Sequence, residues 1–199
     1  MSSHHFVREG QEPALFILDP VPFELASPFL EWAPLVLVSD NALDDVLQWG
    51  IKIDAVLMEN DREKSVAGKV ATQIPIEIIP VAAETTLIRH ALHYLIGRKQ
   101  SGVNVLTSRP EEIFSPAEIV MKQLNVSIID GSLRWSGIST GRFEKWVMVN
   151  SPISIRKIVD FQSMEVKGLI ERDGRFVSTG EGMISIRSDK FFWVAESFA

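Results

Sequence analysis

The chain has 199 residues, 46% of them hydrophobic and 23% charged, with a formal net charge of -6 and no cysteine. That length and apolar share suffice for a real core in one large or two small domains. The acidic balance argues against a general nucleic-acid role, because phosphate backbones demand a basic face, and the lack of cysteine excludes disulfides and thiolate chemistry.

Ala14–Asp19 reads as a first strand, broken by Pro20 and Pro22. Phe23–Trp32 reads as a helix in which Ser27-Pro28 caps or kinks. Leu35–Val38 is an apolar run too short for a helix and suited to a strand covered on both faces. Asp40-Asn41 then offers a cap for a short helix whose Leu43, Val46 and Leu47 share one face. Gly50 supplies a left-handed stop before a strand at Ala55–Met58. Strand, helix and strand joined by short links form a parallel crossover unit, and loops at the carboxyl ends of such strands hold ligands. Asp40 and the Glu59-Asn60-Asp61 cluster fall on that edge. Carboxylates there suit a hard divalent cation, so Asp40, Glu59 and Asp61 are the candidate metal ligands; a polar loop with acidic capping residues is the plain alternative.

Arg62–Thr72 is polar, a loop or frayed helix, and Ile74–Val81 is a further strand. Thr85–Arg98 has the clearest helical stripe, formed by Leu87, Ile88, Ala91, Leu92 and Leu95. Val103–Thr107 is a strand, Ser115-Pro116 opens a helix through Leu124, and Val126–Asp130 is the last strand of the α/β part. From Gly131 the pattern changes to short alternating segments at Trp146–Val149, Ile153–Ile158, Met183–Ile186 and Phe191–Ala195. The expected architecture is therefore α/β: a Rossmann-like parallel sheet with flanking helices over residues 1–130, then an antiparallel β domain over 131–199. The five tryptophans suit core or interface anchors better than a stacking platform. His4 and His5 suit solvated positions, and His90 and His93 lack a carboxylate at metal-ligand spacing. No apolar run is long enough to span a membrane and no signal-peptide core is visible, so a cytoplasmic location is expected.

The run LVLVSDNALDDVLQWGIKIDAVL with its acidic loop, the helix Thr85–Arg98, the VNVL strand at Val103–Leu106, and the Phe143–Trp146 and Pro152–Ser154 stretches resemble the thiamine pyrophosphokinase family. The resemblance implies an α/β domain joined to a carboxyl-terminal β domain. It also implies Mg²⁺-dependent pyrophosphate transfer from ATP to thiamine, and a homodimer with sites between subunits. It places the family's Gly-Asp-Phe-Asp-Ser motif on Met58-Glu59-Asn60-Asp61-Arg62, and its Asp-x-Thr-Asp on Glu84-Thr85-Thr86-Leu87. The Gly-Arg segment falls on Pro110–Ser115, the Asp-Gly on Asp40-Asn41, and the Ser-Asn signature has no match near Ser178–Glu181.

Asp40, Glu59, Asp61, Glu84 and Thr86 are thus vestiges of the catalytic set. Pyrophosphoryl transfer relies on cations and close backbone approach to the polyphosphate. Leu87 replaces a metal-binding carboxylate, Met58 replaces a glycine, and Glu111 and Glu112 stand where an arginine would meet phosphate. The expected site is filled by Met58, Leu87, Ile113 and Phe114. The expected function is that of a non-catalytic homologue, binding or regulatory, dimeric and able to pair with an active relative. The alternative is an active thiamine pyrophosphokinase with a remodelled site holding Mg²⁺ and ATP.

Overall fold

The computed structural model describes residues 12–59, 62–157, 164–172 and 175–197. Two compact units divide the chain, Met1–Gly131 and Ser132–Ala199.

The first unit alternates strands and helices: β1 Ala14–Ile17, α1 Phe23–Leu30, β2 Val36–Ser39, α2 Leu43–Leu47, β3 Ala55–Glu59, α3 Glu63–Lys69, β4 Glu77–Val81, α4 Leu87–Gly97, β5 Gly102–Leu106, α5 Glu111–Val120 and β6 Asn125–Asp130. The strands lie in the order β6-β5-β1-β2-β3-β4, and every pairing among them is parallel. Every residue of β1, β2 and β5 is buried, so both faces of the central strands are covered. The chain steps outward from β1 to β4 and then returns to place β5 on the other side of β1. The strand order therefore reverses between β1 and β5, the position at which such sheets open a crevice.

Local chemistry explains the element ends, including two departures from the sequence reading. Gly50 has φ +66, the left-handed stop expected after α2. Neither Asp40 nor Asn41 caps α2. Its N-cap is Ala42, whose amide is taken by Ser39 Oγ at 3.2 Å, which leaves the Asp40 carboxylate for another partner. Helix α5 begins at Glu111 rather than Ser115 and carries Pro116 within it. Pro110 precedes it with φ -58, and Glu111 and Glu112 in its first turn suit the positive end of the helix dipole. Helix α4 ends in a Schellman motif: the Gln100 amide donates to Leu95 O at 3.0 Å, the Lys99 amide to Ile96 O at 2.9 Å, and Lys99 takes φ 58.

The second unit is antiparallel throughout its pairings. Its strands are β7 Leu133–Ile138, β8 Arg142–Val147, β9 Pro152–Lys157, β10 Met164–Lys167, β11 Leu169–Arg172, β12 Arg175–Ser178, β13 Gly182–Ser188 and β14 Phe192–Ser197. They form the sequence β11-β12-β9-β14-β7 and a separate three-stranded sheet β10-β13-β8. Alternate residues of β8 and β13, including Phe143, Val147, Ile184 and Ile186, pack on Ile153, Phe176, Phe192 and Val194 of the other sheet. Their neighbours face outward, which is the half-buried alternation of a sandwich. Gly141, at φ +69, sits so close to Ser188 that a side chain there would collide with the Ser188 carbonyl.

Candidate functional site

The carboxyl ends of β1 to β5 are edged by one cleft of about 1010 Å³ within the first unit. Its wall combines charged side chains from the strand ends with apolar ones, among them Leu18, Val81, Leu87 and Ile88. The site is open where the sequence suggested a filled one. Met58 lies fully buried in β3, and Ile113 and Phe114 lie on the buried side of α5, so all three belong to the core. Of the four residues expected to fill the cleft, only Leu87 reaches it.

Two Asp–Arg pairs dominate the charged wall. At the end of β2, Arg62 Nη1 donates to Asp40 Oδ2 at 2.9 Å; the Asp40 side chain is 6% exposed and that of Arg62 56%. The second pair sits where the strand order reverses. There Arg109 Nη2 donates to Asp19 Oδ1 at 2.7 Å. The other oxygen, Asp19 Oδ2, accepts from Thr107 Oγ1 at 2.6 Å and from the Ser108 amide at 3.0 Å. Ser108 Oγ adds a longer bond at 3.3 Å, and Arg109 Nη1 reaches Glu112 Oε1 at 3.0 Å. Burial by itself would raise the Asp19 carboxyl, but the bonds from Arg109, Thr107 and Ser108 together outweigh it and hold the carboxyl below its ordinary 3.8. Hydrogen bonding to the same carboxylate pushes the Arg109 guanidinium up.

Of the residues singled out in the sequence, Asp40, Glu59 and Thr86 line the cleft together, while Glu84 is exposed and does not line it. Asp61 and Asn60 lie outside the described residues, as do His4 and His5. Thr86 has a structural task as well: its Oγ1 accepts the Arg89 amide at 3.3 Å and caps α4. The Asp19–Arg109 pair was not anticipated. Its only sequence trace is a carboxylate closing the apolar run of β1 and an arginine shortly after β5, 90 residues apart. Of the tryptophans, Trp193 is buried, Trp32 and Trp146 are exposed, and Trp49 meets Phe23 edge to face at 5.5 Å.

No family model and no curated protein sequence matches the chain. Solved structures do match it. Thiamine pyrophosphokinase from Bacillus subtilis superposes with a TM-score of 0.67 over 92% of this chain and 98% of its own, at 11% identity. Thiamin pyrophosphokinase from Candida albicans gives 0.67 over 94% and 90% at 9% identity, and the yeast enzyme gives 0.67 over 97% and 88% at 9%. The chain has the thiamine pyrophosphokinase fold.

At such identities the likeness to these thiamine pyrophosphokinases is one of backbone, and the chemistry of the cleft has to be read from its own side chains. Among the described residues no three His, Asp or Glu side chains converge to hold a metal ion. The nearest candidate, Asp40, already has one carboxylate oxygen taken by Arg62. Leu87 brings a hydrocarbon to the start of α4, where the family resemblance implies a carboxylate. Of the expected set Asp40, Glu59 and Asp61, the first two stand in the cleft wall and Asp61 lies outside the described residues. No helix of the described residues is long and apolar enough to cross a membrane.

Proposed function

We propose that this chain is a non-catalytic homologue of thiamine pyrophosphokinase that acts by binding, in a binding or regulatory role. The observation that carries the reading is the engagement of the cleft's carboxylates by arginine: Asp40 by Arg62 and Asp19 by Arg109. A guanidinium on Asp40 competes with a divalent ion for the same oxygen, and Leu87 supplies none in its place. Transition-state electrostatic contacts are worth about 3 kcal/mol each, so losing several removes the rate. In this proposal the first unit is a Rossmann-like domain, the protein is a cytoplasmic homodimer, and it can pair with an active relative. Isothermal titration with thiamine, thiamine diphosphate and ATP, each with and without Mg²⁺, tests the reading. Binding of any of them that strictly requires Mg²⁺ would count against it. Light scattering of the purified chain tests the dimer.

The openness of the cleft favours a second reading, an active enzyme with a remodelled site. There Asp40, Glu59 and Asp61 would hold Mg²⁺, with Arg62 giving way. It requires a measurable activity that Asp61→Asn abolishes, and an unchanged rate in that variant removes it.

A further inference from the structure

On β8 and β13 the residues that alternate with Phe143, Val147, Ile184 and Ile186 face away from the core, and Trp146 and Met183 are cross-strand partners on that outer face. Trp146 is 59% exposed and Met183 58%; Met148 and Val149, just past the end of β8, are 61% and 55% exposed. Other exposed apolar side chains lie on separate elements: Trp32 follows α1, Ile74 precedes β4 and Ile119 is on α5. Scattered ones are ordinary, whereas a group gathered on a fixed frame marks an interaction surface. Here the frame is built from a buried serine. Ser178 Oγ donates to Met148 O at 2.5 Å and accepts the Ser151 amide at 2.9 Å, while Ser151 Oγ donates to Met148 O at 2.8 Å. Within that turn Asn150 takes φ 59. Met148 and Val149 are thus presented on a tied backbone, which lowers the ordering cost of docking.

Charge selects the occupant. The same outer face of β8, β13 and β10 carries Arg142, Arg187 and Lys167 against Glu144 and Glu165. These groups neutralise one another: Arg142 meets Glu144 at 2.7 Å, Arg187 meets Glu144 at 3.7 Å and Lys167 meets Glu165 at 2.8 Å. Two chains of net charge -6 repel as wholes, so they come together best where that acidity is absent. A face holding both signs also offers itself opposite charges once turned about a two-fold axis. A strongly acidic or basic partner would find no field of opposite sign on it. Tryptophan and methionine at the centre with charges at the rim are the composition of a protein interface. We propose that a second copy of this chain docks on the outer face of β8 and β13, with Trp146 and Met183 at the centre of the contact. This rests on the homodimer of the proposed function and names the surface that forms it.

Sedimentation equilibrium of the full chain tests the proposal. The wild type is expected to be a dimer at micromolar concentration. Trp146→Glu combined with Met183→Glu, folded by circular dichroism, should weaken the dimer at least about 30-fold. Met148→Glu, in the turn and outside both strands, should weaken it about tenfold and serves if the double variant fails to fold. Trp32→Glu and Ile119→Glu, which place the same charge on exposed apolar positions of the first unit, should leave the dimer unchanged. Diluting the wild type through dissociation should shift its tryptophan emission to the red, and Trp146→Phe should lose most of that shift. A wild type that stays monomeric at every concentration would overturn the proposal together with the homodimer. A dimer indifferent to both the double variant and Met148→Glu would overturn this surface alone and leave the homodimer standing, so the two can fail separately.

Discussion

At one end of the cleft the Asp19 carboxylate accepts from Arg109, Thr107 and Ser108; at the other, the Asp40 carboxylate accepts from Arg62 alone among the described residues. Both aspartates close a buried strand and both arginines are half exposed, so the pairs look alike until their partners are compared. The difference follows from position. Asp19 sits where β1 and β5 run side by side, and the chain leaving β5 supplies a hydroxyl, an amide and a guanidinium in three consecutive residues. Asp40 ends β2, and its neighbouring Ser39 is already spent on the Leu18 carbonyl and the Ala42 amide. A carboxylate with several partners ties neighbouring segments together, whereas the Asp40 carboxylate is joined to Arg62 by one bond.

Substitutions should separate the lock from the looser pair. Asp19→Ala strips the acceptor from three consecutive residues and should cost about 3 kcal/mol in urea unfolding. Arg109→Ala leaves Asp19 its Thr107 and Ser108 bonds, and the arginine it removes is half screened by water, so about 2 kcal/mol is expected. Asp40→Asn should cost about 1 kcal/mol or less. Equal costs at Asp19 and Asp40 would erase the distinction drawn between the pairs. The smallest effect lies remote from both: Lys99→Gly relieves a left-handed backbone at the end of α4 and should stabilise by about 0.5–1 kcal/mol.

Acid sharpens the same comparison. The folded Asp19 carboxyl is held below 3.8, so its contribution is complete above the ordinary carboxylate range and lost as pH falls through the folded value. Across that window the unfolded chain takes up the proton first, and stability declines with falling pH. Urea midpoints of wild type and Asp19→Asn between about pH 6 and about pH 2.5 should therefore converge at the acid end. A gap that stays constant would mean that Asp19 acts through packing rather than charge.

How far the sequence foretold this arrangement depended on whether the decisive contact was local. The parallel strands of the first unit were legible because apolar runs such as Leu15–Ile17 and Val36–Val38 are buried on both faces and bounded by breakers. The stripe of α4 was legible for the same reason, since Ile88, Ala91, Leu92 and Leu95 all reach the core. In the second unit, β8 and β13 interleave Arg142, Glu144 and Arg187 with their core residues, and half-buried strands of that kind give a weak signal; β7, β10, β11 and β12 went unread. Motif position also misled, because Ile113 and Phe114 looked like plugs while the helical period turns them into the core. The lock at Asp19 depends on a pairing across 90 residues that no local pattern encodes.

The most direct test of the central claim is the formation of thiamine diphosphate and AMP from thiamine and Mg–ATP by the purified wild-type chain. With arginines on the cleft's aspartates and leucine at the start of α4, no product above the enzyme-free background is expected. Steady, enzyme-dependent accumulation of both products would contradict the account.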